Sequence, residues 1–234
     1  MLKGKDMLSI HDLSVDDVQE ILALAKELKA KQKAGIEHHL LKGKTLGMIF
    51  EKSSTRTRVS FETGMYQLGG QALFLSNRDL QLGRGEPIKD TARVLSRYLD
   101  GIMIRTFGHD RVVEMAKYAS IPVINALTDL LHPCQVLTDL LTIQEHKGKN
   151  LKGLKMAYVG DGNNMTNSYM YGCAKAGMTF MAATPEDYRP DEQVVKNAIE
   201  DAKATGASIT LVTDPKEAVK DADIVVTDTW ASMG

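Results

Sequence analysis

Hydrophobic positions along the chain alternate between short apolar runs and longer stretches with helical spacing. The apolar runs are typical of buried strands, and most are followed by a segment in which apolar residues recur every three or four positions. The pattern predicts strands at 45–50, 72–75, 101–104, 122–125, 155–159, 179–183, 208–212 and 224–227. It predicts helices after Ser14 and at 59–68, 90–98, 112–118, 133–146, 166–176, 192–204 and 216–220. Strands that alternate with helices favour mainly parallel sheets in an α/β fold.

A capping box is predicted at the start of the first helix. Ser14 precedes the helical spacing, and Asp17 follows three residues later. A serine and an acidic residue at this spacing can satisfy each other's backbone N–H groups.

A polar, glycine-bearing stretch at 147–153 interrupts the alternation of strands and helices. We interpret it as a domain boundary that divides the chain into 1–147 and 148–234, each with about four strands. A solvated loop inside one domain remains an alternative on composition alone. With two domains, a ligand cleft is expected between them, at the carboxyl ends of the strands.

Charge and composition exclude several classes of function. The formal net charge of −1 gives no reason to expect a nucleic acid or an anionic membrane as partner. No apolar run approaches membrane-spanning length, and the first residues lack the apolar core of a signal peptide. Two cysteines, Cys134 and Cys173, are too few for a disulfide scaffold, so we expect a reducing, cytoplasmic environment. The six histidines show no metal-ligand spacing, so neither a metal nor a cofactor is expected.

Residues 52–58 carry the densest chemical signal, with three cations and four hydroxyls in seven positions. The segment lies between a predicted strand and a predicted helix, where backbone N–H groups can bind an anion. Phosphate is the ligand that this composition favours. An exposed basic turn with a Ser or Thr cap is an equally good interpretation of the composition alone. The spacing of a nucleotide-binding P-loop is absent.

Four segments together resemble the aspartate/ornithine carbamoyltransferase family. Ser54-Thr55-Arg56-Thr57-Arg58, followed by Phe61-Glu62, resembles the family's carbamoyl phosphate signature. Gln81-Leu82-Gly83 with Glu86 and 89–93 resembles its mobile loop and following helix. Arg105 ends the third strand, and His132-Pro133-Cys134-Gln135 opens the long helix. The resemblance extends over the whole chain.

The resemblance implies a role in carbamoyl phosphate binding for several of these residues. The phosphate group would be held by Ser54, Thr55, Arg56 and Thr57. The carbonyl oxygen, where negative charge grows during the reaction, would accept hydrogen bonds from the catalytic residues Arg105, His132 and Thr57. Taken singly, each residue also has an ordinary structural explanation, such as a surface ion pair or a helix cap.

Two further glutamines receive roles by the same resemblance. Gln135 would bind the carbamoyl amide. Gln81 would reach the site of a neighbouring subunit, which implies a homotrimer or a multiple of trimers. Cys134 stands where the family often has a small polar residue, and we expect a small buried thiol there rather than a nucleophile.

The segment Gly160-Asp161-Gly162-Asn163-Asn164 follows a predicted strand and resembles the start of a dinucleotide-binding turn. Met165 occupies the place of the third glycine, so a Rossmann-like shape without a nucleotide is the better interpretation. The family resemblance implies that Asn164 contacts the amino-acid substrate.

Residues 228–234 resemble the Asp-x-x-x-Ser-Met-Gly loop of the ornithine-specific members. Asp228 would pair with the α-ammonium of ornithine, and Ser232 and Met233 would close over the substrate. The implied reaction moves the carbamoyl group of carbamoyl phosphate to the δ-amine of L-ornithine, giving L-citrulline and phosphate. A carbamoyltransferase for another amine, such as putrescine, and a non-catalytic carbamoyl phosphate-binding fragment are the alternatives. Asp228 suits an α-amino acid and argues against putrescine.

Family members continue past this loop with a His-Cys-Leu-Pro segment, a later arginine and a closing helix. The resemblance therefore leads us to expect a shortened chain with an incomplete second domain, a partial carbamoyl phosphate site and little or no turnover.

Overall fold

Two four-stranded parallel sheets flanked by helices form the protein, as the alternating pattern predicts. A computed structural model describes residues 2–148 and 150–229. The strands are β1 (Thr45–Phe50), β2 (Gln71–Ser76), β3 (Gly101–Arg105), β4 (Val123–Leu127), β5 (Lys155–Val159), β6 (Thr179–Ala183), β7 (Ser208–Val212) and β8 (Ile224–Val226). The helices are α1 (Val15–Lys33), α2 (Thr55–Gln67), α3 (Ile88–Leu95), α4 (His109–Tyr118), α5 (Pro133–Lys147), α6 (Asn164–Ala176), α7 (Glu192–Lys203) and α8 (Pro215–Val219).

The first compact unit consists of residues 2–8 and Ala23–Thr128. Its sheet has the order β2-β1-β3-β4, with all neighbours parallel. β1 and β3 are the central strands and are buried, because apolar side chains from both faces pack around them. Parallel neighbours end on the same side of the sheet, so the segment after β1 lies next to the end of β3, at Arg105.

The second compact unit consists of Ser9–Leu22 and 129–229. Its sheet has the order β7-β6-β5-β8, again with parallel neighbours. Helix α6 is buried along most of its length. β5 and β8 are adjacent in this sheet, so the turn after β5 lies beside the segment that follows β8.

The largest difference from the predicted elements is the start of α2. The helix begins at Thr55 rather than at residue 59, and it therefore takes up most of the basic segment. Ser54 is extended and its side chain accepts a hydrogen bond from the backbone of Thr57, which is a helix N-cap. The apolar periodicity starts later than this cap, which is why the hydrophobic pattern alone placed the start too late.

The predicted capping box of α1 is confirmed. The backbone N–H of Asp17 donates to Ser14 Oγ at 3.0 Å, and the backbone N–H of Ser14 donates to Asp17 Oδ2 at 3.1 Å. Each side chain thus satisfies one donor that the first turn leaves without a helical partner.

The two compact units divide the chain before α5, between Thr128 and Asp129. Helix α5 packs on α6 within the second unit, and the α-carbon of Gly172 approaches Val136 so closely that an added Cβ would lie 2.4 Å from its side chain. The predicted division into 1–147 and 148–234 concerns domains rather than compactness, and it stays a prediction. Over residues 2–148 and 150–229, no helix combines the length and apolar character needed to cross a membrane.

Candidate active site

Ser54 and Thr57 form the first part of a candidate anion site at the start of α2. Ser54 Oγ accepts from the Thr57 backbone N–H at 3.2 Å and donates to Thr57 Oγ1 at 2.9 Å. These bonds place both hydroxyls at the positive end of a 13-residue helix, where first-turn amides attract anions. Thr55 and Arg56 are exposed in the same turn.

Arg105 lies at the end of β3 and faces this turn. Its Nη1 donates to Thr57 Oγ1 at 3.4 Å, although the residue is only 6% exposed. Its buried Nε has no hydrogen-bond partner, and no acidic side chain pairs with it in the described part of the chain. Burial and the neighbouring charge of Arg56 lower the pKa of Arg105. Two guanidinium groups placed close together without a carboxylate form a site suited to an anionic oxygen ligand.

Glu51 is a neighbour of this site that the sequence analysis did not identify. Its backbone N–H donates to the carbonyl of Arg105 at 2.9 Å, yet its carboxylate pairs with Arg111. Arg111 Nη2 lies 2.5 Å from Oε1 and Nε lies 3.0 Å from Oε2. The Thr106 hydroxyl also donates to Oε2. The acid nearest in sequence to the anion site is therefore neutralised by another cation.

The other two cations of the 52–58 segment make different contacts. Arg58 Nε donates to Glu62 Oε1 at 3.0 Å, and its guanidinium lies 3.8 Å from the centre of the Phe74 ring. The buried Lys52 ammonium lies 4.3 Å from the centre of the Phe107 ring. Arg56 is thus the exposed cation of the segment that the structure associates with Arg105.

Gln81 lies apart from these contacts in the sequence of elements. It opens a short 3-10 helix, Gln81–Arg84, and is exposed. Its predicted role at a neighbouring subunit's site stays a prediction.

His132 belongs to the second unit, where it caps the N-terminal end of α5. Its backbone N–H donates to Ser168 Oγ at 2.7 Å, and Ser168 Oγ donates to the carbonyl of Asn164 at 2.7 Å. Ser168, at 1% exposure, therefore ties the first turn of α5 to the first turn of α6. Two predicted site residues, His132 and Asn164, are brought together by a serine that carries no recognisable sequence signal.

Gln135 is exposed on the first turn of α5. Its Nε2 donates to Asp139 Oδ1 at 3.0 Å. The other carboxylate oxygen, Oδ2, accepts from the Tyr169 hydroxyl at 2.7 Å. Burial raises the pKa of Asp139, and burial together with the Asp139 charge raises the pKa of Tyr169. The sequence analysis singled out neither Asp139 nor Tyr169.

Asp228 follows β8 and is held by Asn163 from the turn after β5. Asn163 Nδ2 donates to Asp228 Oδ2 at 2.9 Å. Asn163 Oδ1 accepts from the backbone N–H groups of Met165 and Thr166 at 2.9 and 3.2 Å, which caps α6. One amide thus joins an acidic side chain to a helix N-terminus, and Asn164 is the first residue of that helix.

The tight turn after β5 depends on Gly162. A Cβ at this position would lie 2.1 Å from the backbone nitrogen of Pro190. The Gly162 N–H donates to the carbonyl of Tyr188 at 2.7 Å. Glycine therefore serves here to let two backbone segments meet rather than to approach a nucleotide.

Three remaining predicted features have different outcomes. Desolvation raises the pKa of the Cys134 thiol to about 12, which agrees with the expectation that it is no nucleophile. Ser232 and Met233 lie outside the described residues. Within those residues, no cluster of three or more His, Cys, Asp or Glu side chains could hold a metal ion.

These features define a class of α/β transferase-like protein with two parallel sheets, an anion site at a strand–helix junction of the first and an acidic strand end in the second. The chain belongs to the aspartate/ornithine carbamoyltransferase family. Residues 5–145 match the model of its carbamoyl-P binding domain, and residues 152–234 match that of its Asp/Orn binding domain. The resemblance expected from the sequence is therefore confirmed.

Similar proteins carry a consistent description. The chain is 61% identical over 233 residues to an ornithine carbamoyltransferase of Anoxybacillus flavithermus, which covers 100% of the chain and 74% of that relative. It is 59% identical to one of Bacillus subtilis, covering 100% of the chain and 72% of the relative. The solved ornithine carbamoyltransferase of Pyrococcus furiosus matches with a TM-score of 0.96 at 55% identity, over 99% of this chain and 74% of that one.

Proposed function

We propose that this chain transfers the carbamoyl group of carbamoyl phosphate to the δ-amine of L-ornithine, giving L-citrulline and phosphate. The observation that carries the proposal is the buried Arg105 guanidinium, which contacts Thr57, lies near Arg56 and has no acidic partner in the described residues. The similarity to proteins named ornithine carbamoyltransferase supports ornithine as the acceptor. Putrescine is not favoured as the acceptor.

The phosphate of the donor is assigned to the start of α2. Ser54 and Thr57 supply hydroxyl groups, Thr55 and Arg56 supply first-turn amides, and the Arg56 side chain supplies a charge. These groups match the oxygen atoms of a phosphate dianion in number and sign.

The carbonyl of the donor is assigned to Arg105, His132 and Thr57. Nucleophilic attack moves negative charge onto this oxygen, so donors that are already in place lower the barrier. Gln135 binds the carbamoyl amide. Gln81 acts at the site of a neighbouring subunit, within a homotrimer or a multiple of trimers.

The acceptor amino acid is assigned to Asn164, Asp228, Ser232 and Met233. Asp228 balances the α-ammonium of ornithine, which leaves the δ-amine at the other end of the molecule to react. The δ-amine attacks as the free base, a C–N bond forms, and a tetrahedral intermediate carries the charge on the carbonyl oxygen. The C–O bond to phosphate then breaks, phosphate leaves, and the amine loses its proton to give neutral citrulline nitrogen.

The same proposal assigns a role to each part of the chain. Residues 1–147 form the carbamoyl phosphate-binding domain and residues 148–234 the ornithine-binding domain, which the two matching family models support. We further propose a cytoplasmic location, supported by the low cysteine content.

The phosphate assignment is tested by titrating the chain with phosphonoacetamide, a stable analogue of carbamoyl phosphate, in a calorimeter. Arg56→Ala is expected to weaken binding about tenfold or more, because a charge-assisted hydrogen bond is lost. Arg58→Ala is the matched control, because Arg58 already pairs with Glu62 and stacks on Phe74. Equal loss in both variants would mean that general positive charge, rather than this site, binds the ligand.

The acceptor assignment is tested by supplying carbamoyl phosphate with L-ornithine, putrescine or L-aspartate at equal concentration. Citrulline is the expected product, and no carbamoyl product is expected from the other two amines. A preference for putrescine would contradict the role of Asp228.

A further inference from the structure

The Gln135 amide has one orientation that its surroundings permit. A side-chain amide has a donor end, the NH₂ group, and an acceptor end, the carbonyl oxygen. Asp139 Oδ1 lies 3.0 Å from the end of Gln135 that faces it, and an ionised carboxylate can only accept. The NH₂ group must therefore face Asp139, and the carbonyl oxygen Oε1 is the end left to face outward from the exposed side of α5.

Asp139 is itself held in place from a second helix. The hydroxyl of Tyr169, a residue only 6% exposed, donates to Asp139 Oδ2 at 2.7 Å. The carboxylate thus receives one donor on each oxygen, from α5 and from α6. Rotation of the carboxylate would break the bond to Tyr169, whose buried hydroxyl would then lose its acceptor.

We propose that Asp139, anchored by Tyr169, is a positioning residue that keeps Gln135 Oε1 directed outward as a hydrogen-bond acceptor for the NH₂ group of the donor substrate. This inference rests on the proposed role of Gln135 and deepens it. An outward acceptor selects an acyl phosphate that carries an amide NH₂ and disfavours one that carries a methyl group at the same place. The selected class is the carbamoyl phosphates, and the disfavoured class is the acetyl phosphates.

A purely structural role for the Gln135–Asp139 pair makes a different prediction. Gln and Asp four residues apart on one helix can stabilise it by a few tenths of a kcal/mol, whatever ligand is present. Loss of that contact would lower stability but would affect two ligands of equal size alike. The ratio of two ligand affinities therefore separates orientation from stability.

The test compares phosphonoacetamide with (2-oxopropyl)phosphonate, two ligands that differ only in NH₂ against CH₃. Dissociation constants of both are measured by calorimetry for the wild-type chain and for Gln135→Ala, Asp139→Asn and Asp139→Leu. The wild-type chain is expected to prefer the amide about fivefold, which is the effect of one hydrogen bond. Gln135→Ala and Asp139→Leu are expected to bring the ratio close to one.

Asp139→Asn keeps the shape of the side chain, so it gives a result even where the leucine variant fails to fold. An asparagine can turn its NH₂ group towards Gln135, which then turns its own carbonyl inward and its NH₂ outward. The preference for the amide ligand is therefore expected to fall at least twofold in this variant. Binding of inorganic phosphate, which has no acyl group, is expected to stay within twofold of the wild-type value in all three variants. A Gln193→Ala variant, which removes a similar glutamine pair with Asn197 on α7, serves as the control and should keep the wild-type ratio.

Each outcome decides one of the two proposals. If the wild-type chain binds neither analogue, or shows no preference for the amide, the proposed function of the site fails and the inference fails with it. If the wild-type chain shows the preference and Gln135→Ala loses it, the proposed role of Gln135 stands. A wild-type ratio in both Asp139 variants would then overturn the inference alone.

Discussion

Asn163 and Asp228 are joined by a hydrogen bond of 2.9 Å between residues 65 positions apart in the chain. The amide of Asn163 also caps α6 through its oxygen. A single side chain therefore couples the stability of a helix to the position of the acid that we assign to the ornithine α-ammonium.

Two substitutions of Asn163 are expected to separate these effects. Asn163→Ser keeps a good helix cap but is too short to reach Asp228, so stability should change by less than about 0.5 kcal/mol. Asn163→Ala removes the cap as well and should cost about 1 kcal/mol. Both are expected to weaken ornithine binding several-fold, because Asp228 loses its partner. Urea unfolding and calorimetry measure the two quantities, and wild-type ornithine affinity in the serine variant would contradict the positioning role.

Glu51 is expected to become a source of instability once Arg111 is replaced. The Glu51 side chain is only 5% exposed, and Arg111→Met would leave its carboxylate with the Thr106 hydroxyl as its remaining side-chain partner. We expect a loss of about 2 kcal/mol, which is below the value for a fully buried pair because Arg111 is 34% exposed.

Urea unfolding of Arg111→Met and of the double variant Glu51→Gln/Arg111→Met measures this effect. The double variant should recover part of the loss, because a neutral amide costs less to bury than a carboxylate. Arg58→Met, which breaks the exposed pair with Glu62, is the control and should cost at most about 1 kcal/mol. A double variant less stable than Arg111→Met would count against this explanation.

Cys134 is expected to resist alkylation in the folded chain. A pKa of about 12 leaves roughly one thiol in ten thousand ionised at pH 8, and the thiolate is the reactive form. Iodoacetamide labelling followed by peptide mass spectrometry should therefore show much slower modification of Cys134 in the native chain than in guanidinium chloride. Equal rates in the two conditions would show that the thiol is not held in this desolvated environment.

Asp139 is expected to make stability depend on pH. Burial raises its pKa in the folded chain, so the folded state holds the proton more tightly than the unfolded state does. Its contribution to stability is therefore fully present below the unfolded pKa, which is about 4, and falls as pH rises through the folded pKa.

The comparison of wild type with Asp139→Asn isolates this effect. As pH is raised from about 4 to 7, the free energy of unfolding should shift in favour of the asparagine variant relative to wild type. Urea unfolding at several pH values gives this difference, and a shift in the opposite direction would contradict the burial of the carboxylate. The cost in stability at neutral pH is what an orientation role for Asp139 would lead us to expect.

Much of the fold could be predicted because the signals are local. The strands β1, β5, β6 and β7 begin and end at the predicted residues, since each is a continuous apolar run between polar turns. The first helix was predicted by its capping box for the same reason. The start of α2 was missed because its cap, Ser54, lies ahead of the first periodic apolar residue.

The residue types of the candidate site were also visible in the chain, but their partners were not. Ser54, Arg56, Arg105, His132 and Asp228 stand at the ends of strands or the starts of helices, positions that the pattern itself identifies. Glu51, Asp139, Asn163 and Ser168 were not singled out, because a glutamate after a strand or a serine inside a helix is common and carries no signal by itself.

The sequence by itself determined the alternation of strands and helices, the family and the chemical groups offered to a phosphate, because periodicity and motifs depend on neighbours a few positions apart. Tertiary structure decided which groups meet. The order β2-β1-β3-β4 sets Arg105 beside Thr57, 48 residues away, and the adjacency of β5 and β8 sets Asn163 beside Asp228. Strand order is a long-range choice, made by burying the apolar faces of whole sheets, and no local pattern specifies it.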